Sequence, residues 1–164
     1  MVEESKTPTL VGLISDTHGL LRPEAVNALR GSRLIIHAGE IGGIEILARL
    51  RLLAPVVAIR GNVDQGRWAA DLPETAVAEA GDVQLYVLHD VNALDLNPRA
   101  AGLGIVVSGH SHRPEQQERN GVLYVNPGSA GPQRFLLPVT VARLNLNNQP
   151  WQAEFIRLDA STPR

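Results

Sequence analysis

The chain is predicted to be an α/β protein, a layered α/β/β/α sandwich of two mixed sheets flanked by helices. Apolar runs at residues 9–14, 33–36 and 56–59 each end in a polar loop before the next element, the pattern of consecutive βα units in a parallel sheet. Beyond Gly66 the pattern changes to short strand-like segments separated by Gly, Asn and Pro. At 164 residues and 44% apolar, the chain is large enough for one substantial core and short for two.

Residues 1–8 are polar and are expected to be a flexible N-terminus ahead of a single domain at 9–160. The first strand runs into Asp16-Thr17-His18, and Pro23 then suits the first turn of a helix reaching about Leu29 and stopped by Gly31. The second strand leads to His37-Ala38-Gly39-Glu40. A helix over 43–53 places Ile46, Leu50 and Leu53 on one stripe, and Pro55 ends it. The third strand enters Arg60-Gly61-Asn62-Val63-Asp64. Strands are expected over 75–80 and 83–88, the latter followed by His89-Asp90, with one or two helical turns at 97–101. A strand over 103–107 enters Ser108-Gly109-His110-Ser111-His112-Arg113-Pro114. Segments 115–119, 121–125, 137–144 and 151–158 read as strands of an antiparallel second sheet.

Fifteen basic against 17 acidic residues give a formal charge of -2, so nothing global indicates nucleic acid or an anionic membrane as partner. The absence of cysteine excludes disulfides, thiolate metal sites and cysteine nucleophiles. No apolar run has bilayer length and no basic-then-apolar signal opens the chain, so a cytoplasmic location is expected.

The chemistry concentrates where strands end. Asp16, His18, Glu40, Asn62, His89, His110 and His112 all follow apolar strands, and four of the chain's five histidines are among them. Taken alone, Asp16 also suits a helix-capping loop, and a single histidine more often makes a structural hydrogen bond. Their recurrence at strand ends is the stronger observation, because a parallel sheet brings such loops to one edge. Seven oxygen and nitrogen donors exceed the needs of one structural ion and suit two divalent ions about 3.5–4 Å apart that share a carboxylate. This donor mixture favours manganese, iron or zinc over calcium or magnesium.

Asp16-x-His18, Gly39-Glu40, Gly61-Asn62, His89 and Gly109-His110-x-His112, in this order, resemble the calcineurin-like metallophosphoesterases. Gly61-Asn62-x-Asp64, His112-x-Pro114 and Asn126-Pro127-Gly128-Ser129 are similar to the compact bacterial and archaeal phosphodiesterase branch. The resemblance implies a metallophosphoesterase-like fold and two divalent ions, manganese first, with iron, zinc or nickel as alternatives. It implies one ion on Asp16, His18 and His112, the other on Asn62, His89 and His110, and Glu40 as the bridge. It further implies a phosphoesterase, more specifically a phosphodiesterase, in which a hydroxide bridging the ions attacks phosphorus of a small phosphoester. Homodimerisation is the one protein partnership that the resemblance suggests.

Three positions depart from the family pattern. Glu40 stands where the family has Asp, Val63 where larger phosphatases carry an acid histidine, and Asp90 where relatives have Gly, a place an Asp can fill in a left-handed turn. His37 is expected to be structural, while Asp64 suits either ligand orientation or a loop cap. Asn126, Gly128 and Ser129 suit a turn somewhat better than a phosphate cradle, and Arg60, Arg113 and Arg134 are candidate phosphate contacts without an assigned role. The competing function is a non-catalytic interaction scaffold with a degraded metal site, for which Glu40 is the foothold. A dinucleotide-binding protein is disfavoured because the first strand lacks a glycine-rich turn.

Overall fold

β1 (Leu10–Ile14) is buried along nearly its whole length, and the first sheet is assembled around it. In the computed structural model, which describes residues 9–159, Val11 and Leu13 face a second sheet while Ile14 faces helices. The expected N-terminal segment 1–8 lies outside the described residues. Burial on both faces explains why β1 reads as a continuous apolar run rather than an alternating one. Gly12 interrupts that run because a Cβ there would come within 2.7 Å of Leu29 and 2.8 Å of the Ser32 hydroxyl.

β2 (Leu34–His37) and β3 (Val56–Ala58) extend the sheet in parallel, Val11 pairing with Leu34 and Ile35 with Val56. α1 (Pro23–Leu29) and α2 (Ile44–Arg51) connect these strands, as the sequence pattern predicts. Pro23 occupies the start of α1, and Ile46, Leu47 and Leu50 are the buried face of α2. Both helices pack with Ile14, Ile35 and Val141 in one apolar cluster.

The second sheet contains β4 (Thr75–Ala80), β5 (Val83–Leu88), β6 (Ile105–Val107), β7 (Pro114–Arg119) and β8 (Val122–Pro127), in the order β4-β5-β6-β8-β7. Its three central strands are parallel and its two edges are antiparallel hairpins. The expectation of an antiparallel second sheet containing the whole tail is therefore corrected. β9 (Thr140–Asn145) pairs antiparallel with β1, and β10 (Ala153–Arg157) pairs antiparallel with β9, giving the first sheet the order β10-β9-β1-β2-β3. Without β9, one edge of the buried β1 would lack partners for its backbone groups. Both sheets are consequently mixed, as the fold class required.

Leu13 and Ile36 of the first sheet meet Leu85, Val87, Ile105 and Val125 of the second in the central core. The outer face of the second sheet carries Tyr86, Leu88, Val106 and Val122, covered by Leu94 and Leu103. That cover is a 3-10 turn at Val91–Ala93 and irregular chain, so the layer on this side is thin. Where one or two helical turns were expected at 97–101, the chain makes a single turn in which Ala101 N donates to Asn97 O at 3.1 Å, and the left-handed Gly102 ends it. α3 (Arg67–Ala70) is a single turn that the sequence pattern did not indicate. Among the described residues, no helix is long and apolar enough to cross a membrane.

Candidate metal centre

The loops following β1 and β2 are zipped together by their backbones. Asp16 N donates to Gly39 O at 2.9 Å, His18 N to Glu40 O at 2.9 Å and Gly19 N to Ile41 O at 2.8 Å. From the second sheet, Gly109 N donates to His89 O at 2.9 Å. Gly109 packs directly on Ser15 Oγ, with Asp16 Oδ2 also 2.7 Å from where a Cβ would lie, so a side chain here would push the two sheets' loops apart. Among the described residues, seven non-glycine residues have left-handed φ, and five are Asp16, His18, Glu40, His110 and His112. Each such residue costs on the order of 1–3 kcal/mol, and such strain concentrates where side chains must be aimed at a common point.

The Asp16 carboxylate is the hub. Its Oδ2 accepts from Ser15 Oγ at 2.6 Å and from His110 N at 3.2 Å, which fixes the direction of Oδ1. Around Oδ1 stand His112 Nε2 at 3.3 Å, His89 Nε2 at 3.9 Å and His18 Nε2 at 4.0 Å. Asp16, His18 and His112 form a group whose ligand atoms all lie within 4.8 Å of one another. His89 Nδ1 is occupied by Ala38 O at 2.7 Å, so its Nε2 faces the hub and also lies 3.4 Å from Glu40 Oε1. The ring of His110 meets that of His89 edge-on at 5.2 Å and is half exposed, with Nε2 4.0 Å from Asp90 Oδ2.

Asp16 Oδ1, His18 Nε2 and His89 Nε2 are buried without a hydrogen-bond partner. Orphaned polar atoms are costly in a protein interior, and three aimed at one space are what a cation site leaves when its ion is not counted. The donor chemistry, carboxylate with imidazole, fits a divalent transition metal. Burial by itself raises the Asp16 pKa, but His112, Ser15 and the charge of His89 outweigh it and hold the carboxyl below its usual value. Burial lowers the His18 pKa against the opposing charge of Asp16, which favours the neutral imidazole that metal binding uses.

Residues 10–149 match the model of the calcineurin-like phosphoesterase superfamily domain. The chain belongs to that superfamily. A probable metallophosphoesterase from Methanothermobacter thermautotrophicus is 33% identical over 167 residues, covering 94% of this chain and 96% of the relative. The solved structure of an archaeal phosphodiesterase superposes with a TM-score of 0.74 at 22% identity, covering 90% of this chain and 99% of that one. Vps29 from Chaetomium thermophilum superposes with a TM-score of 0.72 at 17% identity over 90% of this chain and 97% of its own. At those identities the two structures establish a shared fold.

In this calcineurin-like domain, six of the seven expected residues are linked by the contacts just described. Asn62 joins them through a cleft of about 610 Å³ whose walls include Asn62, His89, Arg60, Glu74, Asp90 and Asp95. Glu40 reaches His89 and receives Val63 N at 3.2 Å on each oxygen. It lies outside the Asp16, His18, His112 group, and Asp16 Oδ1 is the atom that faces imidazoles on both sides.

The residues beneath the centre are structural. His37 is fully buried; Gly39 N donates to its Nδ1 at 3.2 Å, which leaves Nε2 protonated toward Thr17 Oγ1 at 3.0 Å, and Thr17 in turn donates to Ile41 O. Burial pushes the His37 pKa down to about 4. Asp64 is a loop clamp, accepting from the backbone N–H of Ile41, Gly42 and Gly61. Asn126 braces the histidine loop by donating to Gly109 O at 2.8 Å, and Gly128 N donates back to its Oδ1, so the turn reading of this segment holds. Asp90 has φ -114 rather than a left-handed conformation, because its carboxylate caps the 3-10 turn by accepting from Asn92 N. The sequence signal for that cap was Asp90-x-Asn92 itself, an ordinary Asx turn.

Proposed function

We propose that this phosphoesterase hydrolyses small phosphodiesters with two divalent metal ions, manganese first among them. One ion is assigned to Asp16, His18 and His112 and the other to Asn62, His89 and His110, with Glu40 between them. The observation that carries this reading is the convergence of the orphaned Asp16 Oδ1, His18 Nε2 and His89 Nε2 on one buried space. When bound, such ions lower the pKa of water and neutralise charge accumulating on the phosphoryl oxygens. The chain's own residues supply the aim: Ser15 and His110 N hold Asp16, and Ala38 O orients His89. The cleft beside Asn62 accommodates an ester arm. Preference for a diester is supported by the archaeal phosphodiesterase that shares the fold and by the exposed, non-titrating Val63 beside Asn62.

The second reading, a scaffold with a weakened metal site, draws on Glu40 and on the Vps29 likeness. Calorimetry and elemental analysis with manganese, followed by turnover of bis(4-nitrophenyl) phosphate and its monoester, separate the two. Two equivalents of tightly bound metal and faster diester cleavage are expected, and Asp16→Asn or His112→Gln should abolish turnover while leaving the circular dichroism native. Folded wild-type protein that binds no divalent metal would favour the scaffold.

A further inference from the structure

The cleft of about 610 Å³ that opens beside His89 and Asn62 has buried walls from β5, Tyr86 and Leu88, and a more exposed rim carrying Glu74, Asp90 and Asp95. Arg60 is the one arginine or lysine lining it among the described residues, and its guanidinium lies 3.4 Å from Glu74 Oε1. That pair neutralises itself, and Asp64, at the base, is taken up by backbone N–H groups. Asp90 and Asp95 are left as the charge the cleft presents. Asp90 is held in place by accepting from Asn92 N at 3.0 Å, whereas Asp95 has no hydrogen bond or ion pair among the described residues.

Tyr86 supplies an independent observation. The residue is only 8% exposed and lines the cleft, yet its hydroxyl makes no hydrogen bond among the described residues. A phenol buried to this degree ordinarily has a partner, so the group that satisfies it is one that enters the cleft. Carboxylates accept hydrogen bonds and do not donate, and the phenol oxygen can accept as well, which calls for a ligand rich in donors. An ammonium group has three donors, no acceptor and the complementary charge. A second phosphate or a carboxylate is repelled by the same wall. Leu88 and the Tyr86 ring offer apolar surface to the methylene groups that would carry the ammonium, while the phosphoryl group belongs to the side where His89 and Asn62 stand.

We propose that this cleft is the specificity pocket for the ester arm and selects phosphodiesters whose arm ends in an ammonium group, held by Asp90, Asp95 and the Tyr86 hydroxyl. The inference rests on the metal-dependent reading above for the placing of the phosphoryl group. The test compares monoesters of matched length, O-phosphoethanolamine, propyl phosphate and 3-phosphonooxypropanoate, by calorimetry on manganese-loaded protein, alongside kcat/KM for the 4-nitrophenyl diesters of the same arms. O-phosphoethanolamine should bind about 10-fold more tightly than propyl phosphate, and 3-phosphonooxypropanoate about 10-fold more weakly. The spread should shrink as salt rises from about 0.05 M to about 0.5 M. Asp95→Asn and Tyr86→Phe should each reduce the ammonium preference about threefold or more, and Asp95→Lys should abolish or reverse it, with manganese affinity unchanged in all three. Binding of the three monoesters within about twofold of one another by manganese-loaded wild type, or a preference that Asp95→Lys leaves intact, overturns the inference while the metal reading stands. Wild-type protein that fails to bind manganese overturns both.

Discussion

His89 Nε2 lies 3.4 Å from Glu40 Oε1, in a carboxylate that the Val63 backbone N–H also holds at 3.2 Å. The longer side chain is thus accommodated beside an imidazole of the site, and its negative charge is retained where the proposed reading places the metal ions. Charge rather than reach is the quantity to vary. Glu40→Asp is expected to keep both manganese ions and turn over at least as fast as wild type, whereas the isosteric Glu40→Gln should weaken metal binding about tenfold or more. Metal titration with activity on the same samples reads both. Activity lost in a well-folded Glu40→Asp would mean that the anchorage to Val63 and His89 has become essential.

Asp64 makes a prediction of the opposite kind. Its carboxylate gathers the N–H groups of Ile41, Gly42 and Gly61, tying the loop after β2 to the loop after β3. Asp64→Ala strands those buried donors and should cost about 3 kcal/mol of stability in metal-free protein, measured by urea unfolding. A variant as stable as wild type but impaired in metal binding would reassign Asp64 to the ion.

Buried His37 couples stability to pH. Its folded pKa of about 4 lies below the unfolded value of 6.5, so the unfolded chain takes up the proton first. The stability associated with neutral His37 is therefore complete above about pH 6.5 and is lost progressively as the pH falls toward 4, by up to about 3 kcal/mol. Urea unfolding of metal-free protein at pH 7, 5.5 and 4.5 should show this decline, and His37→Gln should flatten it. Equal slopes in the two proteins would place the pH dependence elsewhere.

Leaving-group chemistry follows from what surrounds Asn62. Val63 offers no proton, His37 is sealed from solvent, and Asp64 is engaged by backbone donors. His110, 4.0 Å from Asp90, is committed to metal in the proposed reading. Without a positioned acid, aryl diesters should be cleaved readily and alkyl diesters slowly, the alkyl series lacking a contribution of roughly 10²–10⁴-fold. Single-turnover rates for a series of aryl and alkyl diesters test this. A flat dependence on leaving-group pKa, with chemistry rate-limiting, would identify an acid and direct mutagenesis to His110 and Asp90.

Much of the fold was legible because its determinants are local. Pro23 starts α1, the stripe through Ile46 and Leu50 defines α2, and the runs ending before Asp16, Glu40 and Asn62 are strands with β1 and β2 buried on both faces. The convergence of the polar strand ends was legible for a related reason, since parallel strands present their C-terminal ends at one edge and polar residues there stand out against apolar runs. The assignment of β9 and β10 to the first sheet was not legible. Ala142 and Leu144 alternate inward as they would in either sheet, and only the long-range pairing with β1 decides between them.

The sequence by itself determined the order of the strands and of α1 and α2, the layered α/β class and the polar residues gathered at the candidate metal centre, because periodicity, turn residues and strand ends are encoded within a few positions. Only the tertiary structure decided that Asp16 Oδ1 is the atom facing three imidazoles, that Asp64 and His37 hold loops, and that Ser129 and Ala130 are bonded to the strand end at Ser15 and Asp16. These are relations between groups as far apart in sequence as Asp16 and His112. They are set by which strands pair and by left-handed backbone at Asp16, His18, Glu40, His110 and His112, a strain that local propensity disfavours and that the assembled loops impose.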